Sequence, residues 1–423
     1  MGGVVRDLLL GRLPRDLDIV TAARPGVVVG LFDRTIAVGQ EFGVVAVVAA
    51  GHAYEVATFR REGPYLDGRR PSYVDYADVR ADVLRRDFTV NALLYDPSSG
   101  TVLDFVDGRA DLQRRIIRTV GDPIERLRED RLRMLRAVRF AVELEFAIEP
   151  TTIEAIRTHA RDLSGVSAER IRDELLRLLL APGRADGIQL LESVGMLRVV
   201  LPEVAAMAGV PQPPQFHPEG DVLTHTCLAL RYLEQPTAVL AMATLLHDVG
   251  KPPTYSVTDR IRFNNHAEVG AAIAEQICRR LRVSAAATRG VAALVRDHLR
   301  IGDLPRMRPG RARQFLRRPE AGELLALHRA DCLASHNDLR AYHWALGVLA
   351  EIAAAPPRRR LITGDDLIAL GYTPGPQFAE MLEAVAAAQE EGDVATPEEA
   401  RTWIQARFKA GSITQGTESR STS

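Results

Sequence analysis

Asp16-Leu17-Asp18 places two carboxylates two residues apart, the spacing at which strand side chains leave the same face. Paired hard oxygen ligands of this kind suit Mg²⁺ arriving with a substrate's phosphates. Just upstream runs Gly2-Gly3-Val4-Val5-Arg6-Asp7-Leu8-Leu9-Leu10-Gly11. Its glycines lack side-chain bulk, so backbone N–H groups can approach a triphosphate. Arg6 adds a planar fork donor for phosphate oxygens. Surface turns carry the same residue types, so this segment alone leaves open a plain turn.

Two further segments bear on a nucleotide: Arg85-Arg86-Asp87-Phe88-Thr89-Val90-Asn91-Ala92, and Glu129-Asp130-Arg131-Leu132-Arg133-Met134-Leu135-Arg136-Ala137-Val138-Arg139-Phe140. In the first, one arginine can face phosphates while Asp87 orders the loop or pairs with an arginine. In the second, Asp130 and Arg133 lie three residues apart, which on a helix puts them on one face. A carboxylate accepts from the exocyclic amino group of cytosine or adenine. An arginine donates to the neighbouring ring nitrogen. Guanine and uracil present a carbonyl oxygen where the amino group would be, and a carboxylate repels it. One Asp–Arg pair therefore admits CTP and ATP and rejects GTP and UTP without a template.

With these segments in this order the chain resembles the bacterial tRNA nucleotidyltransferases, the CCA-adding enzymes and poly(A) polymerases of the DNA polymerase β superfamily. The resemblance covers roughly residues 2–180 and resumes near His217. It implies Asp16 and Asp18 as catalytic metal ligands for Mg²⁺, and Gly3, Arg6 and Arg86 as triphosphate-binding positions. Asp130 and Arg133 become the base readers, with Arg136 and Arg139 as further nucleotide-contacting arginines. Glu55, on a later strand, is a possible third carboxylate or a solvated strand glutamate. Arg60-Arg61-Glu62-Gly63-Pro64-Tyr65-Leu66-Asp67-Gly68-Arg69-Arg70-Pro71 resembles the flexible loop of full CCA-adding enzymes, which argues against CC-only addition. Ser167-Ala168-Glu169-Arg170-Ile171-Arg172-Asp173-Glu174-Leu175 resembles the neck motif, a helix opened by a Ser cap. Relatives carry a helix and the start of a strand ahead of the Gly-Gly turn; here Met1 stands in the place of a strand residue, which points to a start codon further upstream.

His225, His247-Asp248, His266, His298 and Asp331 follow the order of an HD metal-dependent phosphohydrolase domain. Imidazole and carboxylate together can hold divalent transition metals and activate a water. The resemblance implies a main site of His225, His247, Asp248 and Asp331, with His266 and His298 supporting a second metal. Such a domain hydrolyses phosphate monoesters or 2′,3′-cyclic phosphates at RNA ends, or survives as a structural or dimerising element. His217, His328, His336 and His343 read as surface or supporting residues.

The elements that must position these groups follow from pattern. Residues 1–120 carry β-rich runs, Phe42–Val48, Tyr54–Phe59 and Thr101–Val106, and read as a small α/β head. Leu132, Leu135, Val138 and Val142 recur at helical spacing, and residues 121–210 read as a helical neck and RNA-binding domain. Pro211-Gln212-Pro213-Pro214 reads as a linker. Residues 217–350 hold eight of the ten histidines and read as the helical HD domain. Pro356-Pro357-Arg358-Arg359-Arg360 marks a boundary before a helical tail over 361–410; residues 411–423, rich in Ser, Thr and Gly, read as disordered. The expected class is α+β: a polymerase-β-like head followed by all-helical neck, HD and tail domains.

Composition bounds the rest. At 46% hydrophobic and 26% charged residues the chain is an ordinary globular one with room for several cores. No run is apolar enough to span a membrane, and no secretory signal precedes Gly2. Cys227, Cys278 and Cys332 are far apart and read as buried thiols in a reducing cytoplasm. The net charge is −1, yet residues 109–139 hold ten arginines against five acids, a local basic surface suited to RNA. The expected function is template-independent addition of CMP and AMP, from CTP and ATP, to the 3′ end of tRNA. Poly(A) polymerase and CC- or A-only addition are the enzyme alternatives. An RNA-binding protein with an inactive head, or a phosphohydrolase whose head recruits tRNA, are alternatives of other classes.

Overall fold

The computed structural model describes residues 1–14, 17–36, 43–63, 72–215, 217–354 and 360–408. Asp16, the loop residues 64–71, Pro356 to Arg359 and the tail 411–423 therefore lie outside the described residues, as does Phe42. By internal contacts the chain forms two compact units, Met1–Arg296 with Ala334–His336, and the remainder from Asp297 onward.

In the first unit, α1 (Gly3–Leu9) starts directly after Gly2. Gly2 has φ +60°, and a Cβ there would meet the Asn91 carbonyl at 3.2 Å and Arg86 Nη1 at 3.3 Å. Only glycine combines that backbone with that approach. A four-stranded sheet follows, built from β1 (Asp18–Thr21), β2 (Thr35–Ile36), β3 (Val44–Ala49) and β4 (His52–Thr58) in the order β1-β4-β3-β2. β1 runs parallel to β4 and the other pairs are antiparallel. The β3–β4 hairpin turns on Ala50 and Gly51, both at positive φ, the conformation a tight two-residue hairpin needs. Helix α2 (Pro25–Leu31) lays Val28 on Val45, Val47 and Val56. The third expected strand is short, Thr101–Leu103, paired with Leu94–Asp96.

Helices take over from there: α3 (Val79–Leu84), α4 (Gly108–Arg114), α5 (Pro123–Glu129), α6 (Leu132–Leu144), α7 (Pro150–His159), α8 (Ala168–Leu180) and α9 (Arg184–Ser193). Asp122 caps α5 through the Glu125 amide, with Pro123 in the first turn where its missing N–H costs nothing. α6 buries Leu132, Leu135, Val138 and Val142 as their spacing predicts. Ser167 does occupy the N-cap position of α8, but its hydroxyl makes no capping bond. Then come α10 (Leu197–Val200), α11 (Pro202–Ala205), α12 (Val222–Arg231), α13 (Ala238–Leu246), α14 (Lys251–Thr254) and α15 (His266–Arg280).

Pro211–Pro214 contains no helix, as its prolines require, but it is not a loose linker: Gln212 is buried and accepts a hydrogen bond from Lys251 Nζ at 2.7 Å. In the second unit, helices Gly364–Ala369, Gln377–Glu391 and Pro397–Arg407 close their own core around Leu367, Met381, Val385 and Ile404. No helix among the described residues is long and apolar enough to cross a membrane.

Candidate functional site

A cleft of about 840 Å³ in the first unit is lined by Gly2, Gly3, Arg6, Asp18, Arg86, Asp87, Arg136, Arg139 and Phe140, among others. Asp18 opens β1 and is the register partner of Glu55 on β4. Register partners on neighbouring parallel strands project to the same side of a sheet, so these two carboxylates stand together. Glu55 is exposed and Asp18 half-buried, which leaves both accessible to a hydrated cation. Oxygen donors in this arrangement fit a divalent ion.

The arginines of the cleft are held in ladders of ion pairs. Arg6 is buried; it donates to Asn91 Oδ1 at 2.6 Å and pairs with Asp7 at 2.7 Å. Arg86 pairs with Asp82 at 2.8 Å, and Arg85 turns away to Asp82 at 2.7 Å and Glu62 at 3.0 Å. Burial alone would raise the Asp82 carboxyl, but Arg85 and Arg86 outweigh it and hold it below the usual range. Arg136 bridges Asp87 at 2.8 Å and Glu174 at 3.2 Å. Arg139 pairs with Glu174 and Glu143, each at 2.5 Å, and lies 3.9 Å from the centroid of the Phe140 ring. The Asp87 carboxyl, half-buried, would likewise rise on burial but is held low by Arg136. Asp87 is thus the member of Arg85-Arg86-Asp87 that pairs with an arginine, and of the two arginines Arg86 is the one that lines the cleft.

Asp130 and Arg133 do not share a helix face. Asp130 sits in the break between α5 and α6, in extended backbone with φ −138° and ψ 103°. Its carboxylate accepts the Leu132 amide at 3.1 Å, the local bond by which Asp competes with helix continuation. Its other oxygen is held by Arg170 at 2.7 Å. Arg133 pairs with Glu129 at 2.5 Å and donates to the Arg85 carbonyl at 3.2 Å. Neither residue lines the cleft, whereas Arg136 and Arg139 do. At the base of the loop resembling the family's flexible one, Arg60–Glu62 forms a two-stranded stem with Val74–Tyr76, tied by an Arg61–Asp75 pair at 3.1 Å.

The helical part of the same unit gathers a second group. His225 Nε2 lies 3.3 Å from His247 Nε2 and 3.7 Å from Asp248 Oδ2, and His266 Nε2 lies 3.6 Å from Asp248 Oδ1. His225, His247 and Asp248 are almost completely buried. Each ring is anchored through its other nitrogen: His247 Nδ1 on the Thr244 carbonyl at 2.8 Å, His266 Nδ1 on the Phe263 carbonyl at 2.9 Å, His225 Nδ1 on Glu219 at 2.7 Å. Such anchoring is how ligating histidines are oriented. One atom from each of His225, His247 and Asp248 falls within 4.8 Å of the others, a donor set of imidazole and carboxylate that fits a divalent transition metal. α14 packs tightly behind: a Cβ on Gly250 would meet the His266 carbonyl at 2.1 Å. His298 and Asp331 belong to the second unit, the former buried and the latter half-buried.

Sequence reasoning missed Glu219, Gln212 and Lys251, whose ammonium lies 2.7 Å from Asp248 Oδ2. The Lys251 contact had a signal, its place three residues after Asp248, whose carbonyl accepts the Lys251 amide at 2.9 Å. All three cysteines are buried free thiols, and burial pushes Cys227 up to about 12.

Residues 1–118 match the family of the poly A polymerase head domain, residues 145–207 the probable RNA and SrmB-binding site of polymerase A, and residues 222–335 the HD domain. The CC-adding tRNA nucleotidyltransferase of Thermus thermophilus is 39% identical over 96% of this chain and 92% of its own length. The A-adding tRNA nucleotidyltransferase of Deinococcus radiodurans is 40% identical over 78% of this chain and 79% of its own. Among solved structures, the Bacillus stearothermophilus CCA-adding enzyme in complex with CTP superposes with a TM-score of 0.71 at 30% identity, covering 96% of this chain and 92% of that one.

Proposed function

We propose, because this chain belongs to the tRNA nucleotidyltransferase family, that it adds CMP and AMP from CTP and ATP to the 3′ end of tRNA without a template. The observation that carries this reading is the Asp18–Glu55 register pair beside a cleft lined by glycines and four salt-bridged arginines. Asp16 and Asp18 hold Mg²⁺, with Glu55 as third carboxylate. Bound there, divalent cations stabilise the attacking and leaving oxygens of the displacement. Gly3 lets backbone approach the triphosphate, and Arg6 and Arg86 donate to its oxygens.

Arg136 and Arg139, fixed by Asp87 and Glu174 and both over the Phe140 ring, flank the nucleotide. Asp130 and Arg133 remain the base readers in this reading. To act so, they exchange Arg170 and Glu129 for the amino group and ring nitrogen of the base. The buried, reduced cysteines accord with a cytoplasmic location.

The histidine cluster supports a second chemistry, hydrolysis of 2′,3′-cyclic phosphates at RNA ends. His225, His247, Asp248 and His266 hold the metal there. Water cleaving the P–O3′ bond would leave a 2′-phosphate and a free 3′ hydroxyl which the transferase can extend, and a second hydrolysis, of that monoester, would release the phosphate. Partial addition, CC or A alone, is the alternative for the head, favoured by the names of two relatives that align over most of this chain.

The test is incubation with tRNA lacking CCA, tRNA ending in CC and unstructured RNA, each with labelled CTP or ATP. CMP on the first and a single AMP on the second support the proposal. Repeated AMP on unstructured RNA refutes it in favour of a poly(A) polymerase.

A further inference from the structure

One carboxylate beside the histidine cluster has no part in the chemistry above. Glu219 lies three residues ahead of α12, and its side chain is 7% exposed. Its Oε1 is 2.7 Å from Nδ1 of His225 and 2.9 Å from Nδ1 of His217. The two rings meet edge to face with centroids 4.9 Å apart. A carboxylate oxygen at these distances accepts from a ring N–H, so both contacts are donated from Nδ1. The Oε2 atom is buried and accepts no hydrogen bond from the described residues, a cost that a merely structural contact has no reason to carry.

With its proton on Nδ1, His225 has its lone pair on Nε2, the atom that faces His247 and Asp248. His247 and His266 are anchored by backbone carbonyls, which no substitution removes. His225 is instead anchored through Nδ1 on a side-chain carboxylate. We infer that Glu219 is the positioning residue of the cluster, fixing the tautomer and ring plane of His225 so that Nε2 is presented to a divalent transition metal, and steadying His217 through the same oxygen. The inference rests on the reading of the cluster as a metal site.

The test uses the full chain with Co²⁺ as probe, followed by visible absorption, together with nitrogen NMR of the histidine tautomers in metal-free protein. Glu219→Ala should weaken Co²⁺ binding by about 10–100-fold and release His225 from its Nδ1-protonated form. Glu219→Gln retains a carbonyl acceptor and should recover part of both. Nucleotide addition to tRNA should not change in either variant. Parent-like affinity in Glu219→Ala overturns the inference, as do equal losses in the two variants, which would assign the effect to packing. A parent protein that takes up no Co²⁺ overturns the metal reading beneath it. That failure is told apart from failure of Glu219 itself by the tautomer signal, which in the second case does not depend on Glu219.

Discussion

Replacing Glu174 by alanine removes the carboxylate that Arg136 and Arg139 share. Glu174 is 6% and Arg139 5% exposed at the side chain, so this is a buried ion pair, and Arg136 at 28% is partly shielded. Breaking a buried pair by deleting one partner costs about 3–5 kcal/mol, because the charge left behind is uncompensated. Arg136 keeps Asp87 and Arg139 keeps Glu143, which places the expected loss at the lower end, about 3 kcal/mol. For a unit of this size about 2 °C is lost per kcal/mol, so the melting temperature should fall by about 6 °C. Glu174→Gln keeps acceptor oxygen and volume, and should fall by less. The same change loosens two guanidiniums of the cleft, so KM for CTP should rise while KM for tRNA holds. Thermal unfolding and steady-state kinetics on one preparation check both. A Glu174→Ala protein melting within about 1 °C of the parent, with unchanged KM for CTP, would refute the shared-carboxylate account.

Arg133→Ala should relax the rejection of GTP and UTP by about 1–3 kcal/mol, the worth of one good base contact, more than it weakens triphosphate binding; unchanged exclusion in a four-nucleotide competition would remove Asp130 and Arg133 as readers. His247→Gln with Asp248→Asn should abolish release of phosphate from a cyclic-ended RNA and leave AMP incorporation into tRNA ending in CC intact, and loss of both in a folded protein would mean the two sites are coupled. Asp87 has a folded pKa held below its unfolded value, so its stabilisation is fully present above about pH 3.9 and is lost as pH falls through the lower folded value. Asp87→Asn should therefore flatten the fall of melting temperature on the acid side of pH 4, and an unaltered acid slope would contradict the Arg136–Asp87 pairing.

What the sequence made legible was local and periodic. Leu132, Leu135, Val138 and Val142 announce α6 because a helix repeats its buried face every 3–4 residues. The break at Asp130 was not legible, because a single bond from its carboxylate to the Leu132 amide overrides the spacing argument. The pairing of Asp18 with Glu55 was not legible either: it depends on the register of strands 37 positions apart, and Glu55 alone looks like any solvated strand residue. Pro211–Pro214 read as a linker because proline bars a helix. Its burial depends on Lys251, distant in the chain, reaching Gln212. Glu219 lies outside any regular element, so no periodicity could have marked it; only the folded chain brings it to His225.

The transferase reading is tested most directly by sequencing the 3′ ends produced from tRNA lacking CCA, with CTP, ATP and saturating Mg²⁺ supplied together, for the parent and for Asp18→Ala. The account predicts ends completed to CCA by the parent and no addition by the variant, with the variant still folded and still binding tRNA. Ends extended by Asp18→Ala at the parent's rate would contradict the assignment of the carboxylates to the reacting centre. Ends that stop at CC, or that carry AMP alone, would replace the full activity by a partial one.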